Sequence, residues 1–261
     1  MLEVIEKGSV SKSHPIPLLF VHGVWHAAWC WDENFLSYFA DKGYRALALS
    51  FRGHGTSPTD KPLWALSVRD YVQDVASVAA SLPTPPVIVG HSMGGLVVQK
   101  YLENHAAPAA VLMTSVPPQG NLGNALRWIR QRPLHFVKMT LTGKALPYIN
   151  PPELARERFF SPRTPEADVR KYAARLQEDS SRIGVDSLLL RLPRPKRVTS
   201  PILVLGADED GAHTREEILA TARAYGTRAE FFPGMGHNMM LEPGWNLVAD
   251  RIDSWLSSRG L

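Results

Sequence analysis

Cysteine is all but missing: Cys30 is the only one in 261 residues. No intramolecular disulfide can form, and a reducing, cytoplasmic setting is the expectation. Long apolar runs are missing as well. No stretch approaches the ~18 consecutive apolar residues of a membrane-spanning helix, and the start, MLEVIEKGSV, lacks the basic-then-apolar pattern of a secretory leader. There is no internal repeat and no low-complexity tract, so solenoids and flexible linkers are not expected. His22 and His26 stand four apart, but in a glycine-containing loop without a carboxylate-rich partner or an H-E-x-x-H pattern. No metal or other cofactor is expected from them.

The composition is that of an ordinary globular chain, 44% hydrophobic and 21% charged, long enough for one α/β domain with an insertion. Its formal net charge of +4 is distributed unevenly. Residues 119–199 hold 16 Lys and Arg against 7 Asp and Glu, while the remainder holds 13 against 18. That basic segment is also irregular and broken by prolines, from Pro133 to Pro195. A solvated surface, an attraction for anionic substrates and a weak contact with an anionic lipid surface are all compatible with such charge. No nucleic-acid-binding module accompanies it.

On either side of the basic segment, strand-like runs alternate with helix-like ones. Strands are expected at 17–21, 46–49, 87–89, 109–113, 201–205 and 229–232. Helices are expected at 31–41, at 67–81 with Ser67 as its cap, after 92 to about 104, at 214–225 and at 245–256. Such alternation predicts a mostly parallel sheet covered by helices on both faces. Reactive groups in such sheets gather at the carboxyl ends of the strands. The loops to watch therefore follow residues 21, 89, 205 and 232. They contain His22-Gly23, Ser92, Asp208 with Asp210, and His237.

The stretch VIVGHSMGG is the sharpest of these. Ser92 stands between Gly90 and Gly94 as G-x-S-x-G, at a turn from strand to helix. Small residues at those positions let the two elements approach, and the side chain at the apex is presented outward. A serine hydroxyl needs a base, for which His237 in GMGHNMM is the candidate. The base needs a carboxylate, and the loop after PILVLG offers Asp208, Glu209 and Asp210. His91 adjoins the serine but points to another side and is read as packing or hydrogen bonding. His22 and His54 are read as ordering their own turns, and Cys30 between two tryptophans as a packed residue.

FVHG, FRGHG, GHSMGG, LVLGADED and GMGH together resemble the α/β-hydrolase fold superfamily along essentially the whole chain, and WHAAWCW resembles its compact esterase and lyase branches. The resemblance implies an α/β fold with a helical cap at 119–199, inserted in a core formed by 1–118 and 200–261. It implies Ser92 as nucleophile, His237 as base and Asp210 as acid, with Asp208 the alternative. The oxyanion hole would be the backbone N–H groups of Met93 and Val24, with Trp25 in place of Val24 if the loop registers one residue later. The expected activity is hydrolysis of a carboxylic ester, lysophospholipid-like or another acyl ester, through an acyl-enzyme. Cofactor-free lyase, C–C hydrolase or perhydrolase chemistry stays open on the same scaffold, as does a ligand-binding receptor that keeps the triad. The expected partner is a small-molecule ester, and the sequence leaves the oligomeric state open.

Overall fold

The computed structural model describes residues 1–261. Seven strands form one sheet: β1 (Val4–Lys7), β2 (Leu18–Val21), β3 (Ala46–Leu49), β4 (Val87–His91), β5 (Ala110–Met113), β6 (Ile202–Ala207) and β7 (Ala229–Phe232). Their order across the sheet is β1-β3-β2-β4-β5-β6-β7. All neighbours run parallel except β1, which lies antiparallel on β3 with Val4 opposite Leu49. The central strands are buried on both faces, which is why they read as unbroken apolar runs rather than alternating ones. β1 was not foreseen. Its four residues, VIEK, alternate exposed and half-buried at the sheet edge and carry no apolar run to mark them.

The two faces of the sheet each have their own core. On one, Leu18 and Phe20 of β2 meet α1 (Trp29–Asp32), α2 (Phe35–Asp41) and α11 (Trp245–Ser257). On the other, Leu19 and Val21 meet α3 (Val68–Ala80), α4 (Met93–Tyr101) and α10 (Arg215–Ala224). The period-two alternation of β2 thus divides its residues between the cores. Ser67 and Thr214 cap α3 and α10, each completing a capping box with Asp70 or Glu217. The helix expected over 31–41 is two helices. Asn34 leaves the helical conformation (φ −139°) and its amide donates to Met240 O at 3.0 Å, tying the break to the loop before α11. The helix after Ser92 ends at Tyr101, short of the expected 104.

Between β5 and β6 the chain forms no strand. It makes α5 (Leu122–Gln131), α6 (Pro133–Thr142), α7 (Pro152–Phe159), α8 (Glu166–Ala173) and α9 (Ser181–Val185). Ile149, Ala155, Phe159, Phe160, Val169 and Tyr172 from this stretch join the core that holds α1 and α2.

Candidate active site

The turn after β4 is tight and strained. Ser92 has φ 53° and ψ −120°, a conformation that L residues rarely adopt and that costs of the order of 1–3 kcal/mol. Close packing imposes it. A Cβ on Gly94 would lie 2.3 Å from His22 O, and one on Gly90 would lie 2.8 Å from Gly95 Cα. Both obstacles are backbone and cannot move aside. The elbow is pinned further by Ser92 N–H donating to Met113 O at 3.0 Å. The Ser92 hydroxyl makes no capping bond to α4 and is left for other partners.

The loops after β6 and β7 bring Asp210 to His237. His237 Nδ1 lies 2.9 Å from Oδ1 and 3.0 Å from Oδ2 of Asp210, both residues almost fully buried. Asp210 also accepts from the N–H groups of Ala212 and His213, at 2.7 and 2.9 Å. Burial alone would raise its pKa, but the charge and hydrogen bond of His237, with His213 behind it, hold the carboxyl below its ordinary value. Burial depresses His237 below the usual histidine value, with Asp210 opposing. Asp208 turns away: its Oδ1 accepts from Arg215 Nη1 at 2.7 Å on the surface. His237 reaches the elbow through its carbonyl, which lies 3.1 Å from His91 Nε2 and accepts from Thr114 Oγ1 at 3.0 Å. The His91 and His237 rings stand 4.8 Å apart.

Two backbone donors near the elbow have no partner. Neither Val24 N–H nor Met93 N–H donates to any group of the protein. The loop carrying Val24 passes directly against the serine, since a Cβ on Gly23 would come within 2.9 Å of Ser92 Cβ. Trp25 N–H is engaged: it donates to Asp179 Oδ2 at 2.9 Å. His22 and His26 hold this loop in shape. Phe51 N–H donates to His22 Nε2 at 3.1 Å while His22 Nδ1 lies 2.7 Å from Gly23 O, which fixes the neutral tautomer. His26 does the same between Asn238 Nδ2 and Val24 O. Burial lowers their pKa values to about 3 and about 4. Burial raises the Cys30 thiol far above its ordinary value.

Asp179 is the residue that sequence reasoning missed. Besides Trp25 N–H it accepts from Tyr71 Oη at 3.1 Å and Ser180 N–H at 2.6 Å. His54 Nε2 lies 3.1 Å from its Oδ2, an ion pair rather than an aligned hydrogen bond. Trp25 has a positive φ of 64°, so the carboxylate anchors a strained residue beside Val24. Residues 25, 54, 71 and 179 share no spacing that a sequence could reveal. Phe159 of α7 packs between the two loops, its ring 6.2 Å from His237 and 6.0 Å from Trp25.

The profile of the Alpha/beta hydrolase family matches residues 18–250. The chain is similar to a monoacylglycerol lipase of Mycolicibacterium smegmatis, 27% identical over 238 residues that cover 84% of this chain and 80% of the lipase. It is also similar to the bifunctional esterase/perhydrolase DCH of Acinetobacter calcoaceticus, 36% identical over 39% of this chain. That match spans only 38% of the relative's own length, as does the match to a non-heme chloroperoxidase of Streptomyces lividans. Among solved structures, the esterase EaEST of Exiguobacterium antarcticum superposes with a TM-score of 0.74 at 20% identity, covering 97% of this chain and 94% of that one. Sheet order, elbow and family profile agree: this chain belongs to the alpha/beta hydrolase family.

Proposed function

We propose that the protein is a serine hydrolase that cleaves a carboxylic ester by a Ser92–His237–Asp210 mechanism. The observation that carries this reading is the buried His237–Asp210 hydrogen bond beside a strained serine and two unpaired amides. Asp210 accepts the Nδ1 proton, so Nε2 of neutral His237 is free to act as base. Ser92 Oγ attacks the ester carbonyl and its proton passes to His237 Nε2. The negative charge that develops on the carbonyl oxygen falls to Met93 and Val24 N–H, each such donor worth about 10²–10³ in turnover. His237 then protonates the leaving alcohol. A water, deprotonated by the same histidine, releases the acid and restores the serine. Residues 119–199 act in this reading as a cap, with Phe159 and Trp25 walling the acyl side.

Hydrolysis of p-nitrophenyl esters from acetyl to palmitoyl, beside Ser92→Ala, tests the reading. Multiple turnover that falls at least about 10³-fold in Ser92→Ala is expected, and the preferred chain length sizes the acyl pocket. Substantial turnover by well-folded Ser92→Ala would sink the mechanism. The esterase/perhydrolase relative favours one second reading, in which hydrogen peroxide replaces water in the last step. Ser92-dependent peracid release with hydrogen peroxide present identifies that branch.

A further inference from the structure

Beneath the α5–α6–α7 stretch lies a cavity of about 140 Å³, lined by Trp128, His135, Tyr148 and Arg158 among others, with Gly211 at its wall. Gly211 follows Asp210 in the chain, and a Cβ there would come 2.8 Å from Arg158 O. The cavity therefore borders the loop that carries Asp210. The Arg158 side chain stands out within it. Its guanidinium carbon lies 5.7 Å from the centroid of the Trp25 ring. Its Nε is shut off from solvent and has no hydrogen-bond partner. Its one hydrogen bond is from Nη2 to the Asn124 amide oxygen, at 3.1 Å with that amide oriented to satisfy Ala212 O as well.

No carboxylate is committed to this cation. Asp210 and Glu157 attract it through space, but Asp210 is bonded to His237 and Glu157 to Arg132. Burial lowers Arg158 to about 10, which leaves it charged at neutral pH. A second buried nitrogen in the same cavity, His135 Nδ1, is also without a partner. A half-buried cation whose enclosed Nε has no partner is left short of an acceptor on that edge. A planar guanidinium edge matches the paired oxygens of a carboxylate or a phosphate.

We propose that the cavity around Arg158 is a subsite for an oxyanion, a carboxylate or phosphate carried by the substrate. The ester half of that substrate rests on the hydrolase reading; the anion half does not. Arg158 would bind the anionic end with His135 assisting, while the ester carbonyl sits at Ser92. The basic excess of residues 119–199 would draw such substrates in.

The test compares p-nitrophenyl hydrogen glutarate and p-nitrophenyl 4-phosphonobutanoate with neutral p-nitrophenyl pentanoate. Wild type is expected to favour one charged ester in kcat/KM, and which one tells carboxylate from phosphate. Arg158→Met is expected to cut the charged-to-neutral ratio by roughly 10- to 100-fold, with Arg158→Lys in between. A wild-type preference for the neutral ester overturns the proposal without any variant. So does a ratio unchanged in Arg158→Met, which would make the residue a prop for Trp25 alone. If no ester turns over, the hydrolase reading fails first and the subsite is read by melting temperature. Glutarate or inorganic phosphate that stabilises wild type but not Arg158→Met upholds it; no shift with either anion, or the same shift in Arg158→Met, overturns it.

Discussion

Asp208 and Asp210 lie two residues apart and do unrelated work. Asp208 pairs with Arg215 on the surface, whereas Asp210 accepts from His237 in the interior. Replacing Asp210 with Asn removes the partner that fixes the histidine tautomer, and kcat is expected to fall by about 10³–10⁴. Asp208→Asn removes only an exposed ion pair, and rates within about twofold of wild type are expected. Steady-state kinetics on one ester compares the two. In the proposed mechanism the base must be neutral to accept a proton, and burial holds His237 below its ordinary value of 6.5. The acid limb of kcat/KM is therefore expected below pH 6.5, with activity lost as the pH falls through it. At this scale the sequence is readable where a motif is local. GHSMGG marks Ser92 and GMGH marks His237, but which carboxylate of LVLGADED faces inward depends on how a turn closes, and spacing does not encode that.

Elements were legible where the signal that makes them is local. The strand at 229–232 and the start of the helix at Ser67 match the sequence reading, because a β-run and a capping residue are local signals. β1 and the break at Asn34 escaped it, since one is a short polar edge strand and the other depends on Met240, distant in sequence. The tie between the 119–199 segment and the loop after β2 is of the same long-range kind. Asp179 joins Trp25, His54 and Tyr71, and Gln177 N–H donates to Trp25 O at 3.0 Å. Removing one partner of a buried pair leaves the other uncompensated, so Asp179→Asn is expected to cost about 3–5 kcal/mol in a denaturant titration. The pH dependence has two sides. Burial opposes charge on Asp179, but His54 and the hydrogen bonds from Trp25 and Ser180 leave its pKa below 3.8, so its share is complete above pH 3.8 and is lost as pH falls through the lowered value. Burial opposes charge on His54 too, and Asp179 outweighs it, raising the pKa above 6.5. That share is complete below pH 6.5 and is lost as pH rises through the raised value.

For the whole molecule, the parallel sheet collects the candidate residues at the carboxyl ends of its strands because every strand from β2 to β7 points the same way. The loops after β2, β4, β6 and β7 must then meet there, which is why four motifs far apart in sequence could be read as one site. The alternating pattern of strands and helices made that architecture readable. The path of residues 119–199 was not readable, because its short helices, held by scattered aromatics and ion pairs, impose no periodicity on the chain. The proposed site stands or falls on whether Ser92 is a nucleophile activated by His237. Labelling with a fluorophosphonate, followed by mass spectrometry of the digested protein, asks this directly. One covalent adduct is predicted, on the Ser92 peptide, and it should be lost in Ser92→Ala and strongly slowed in His237→Ala. A folded protein that takes no adduct, or takes it on another residue, would contradict the mechanism.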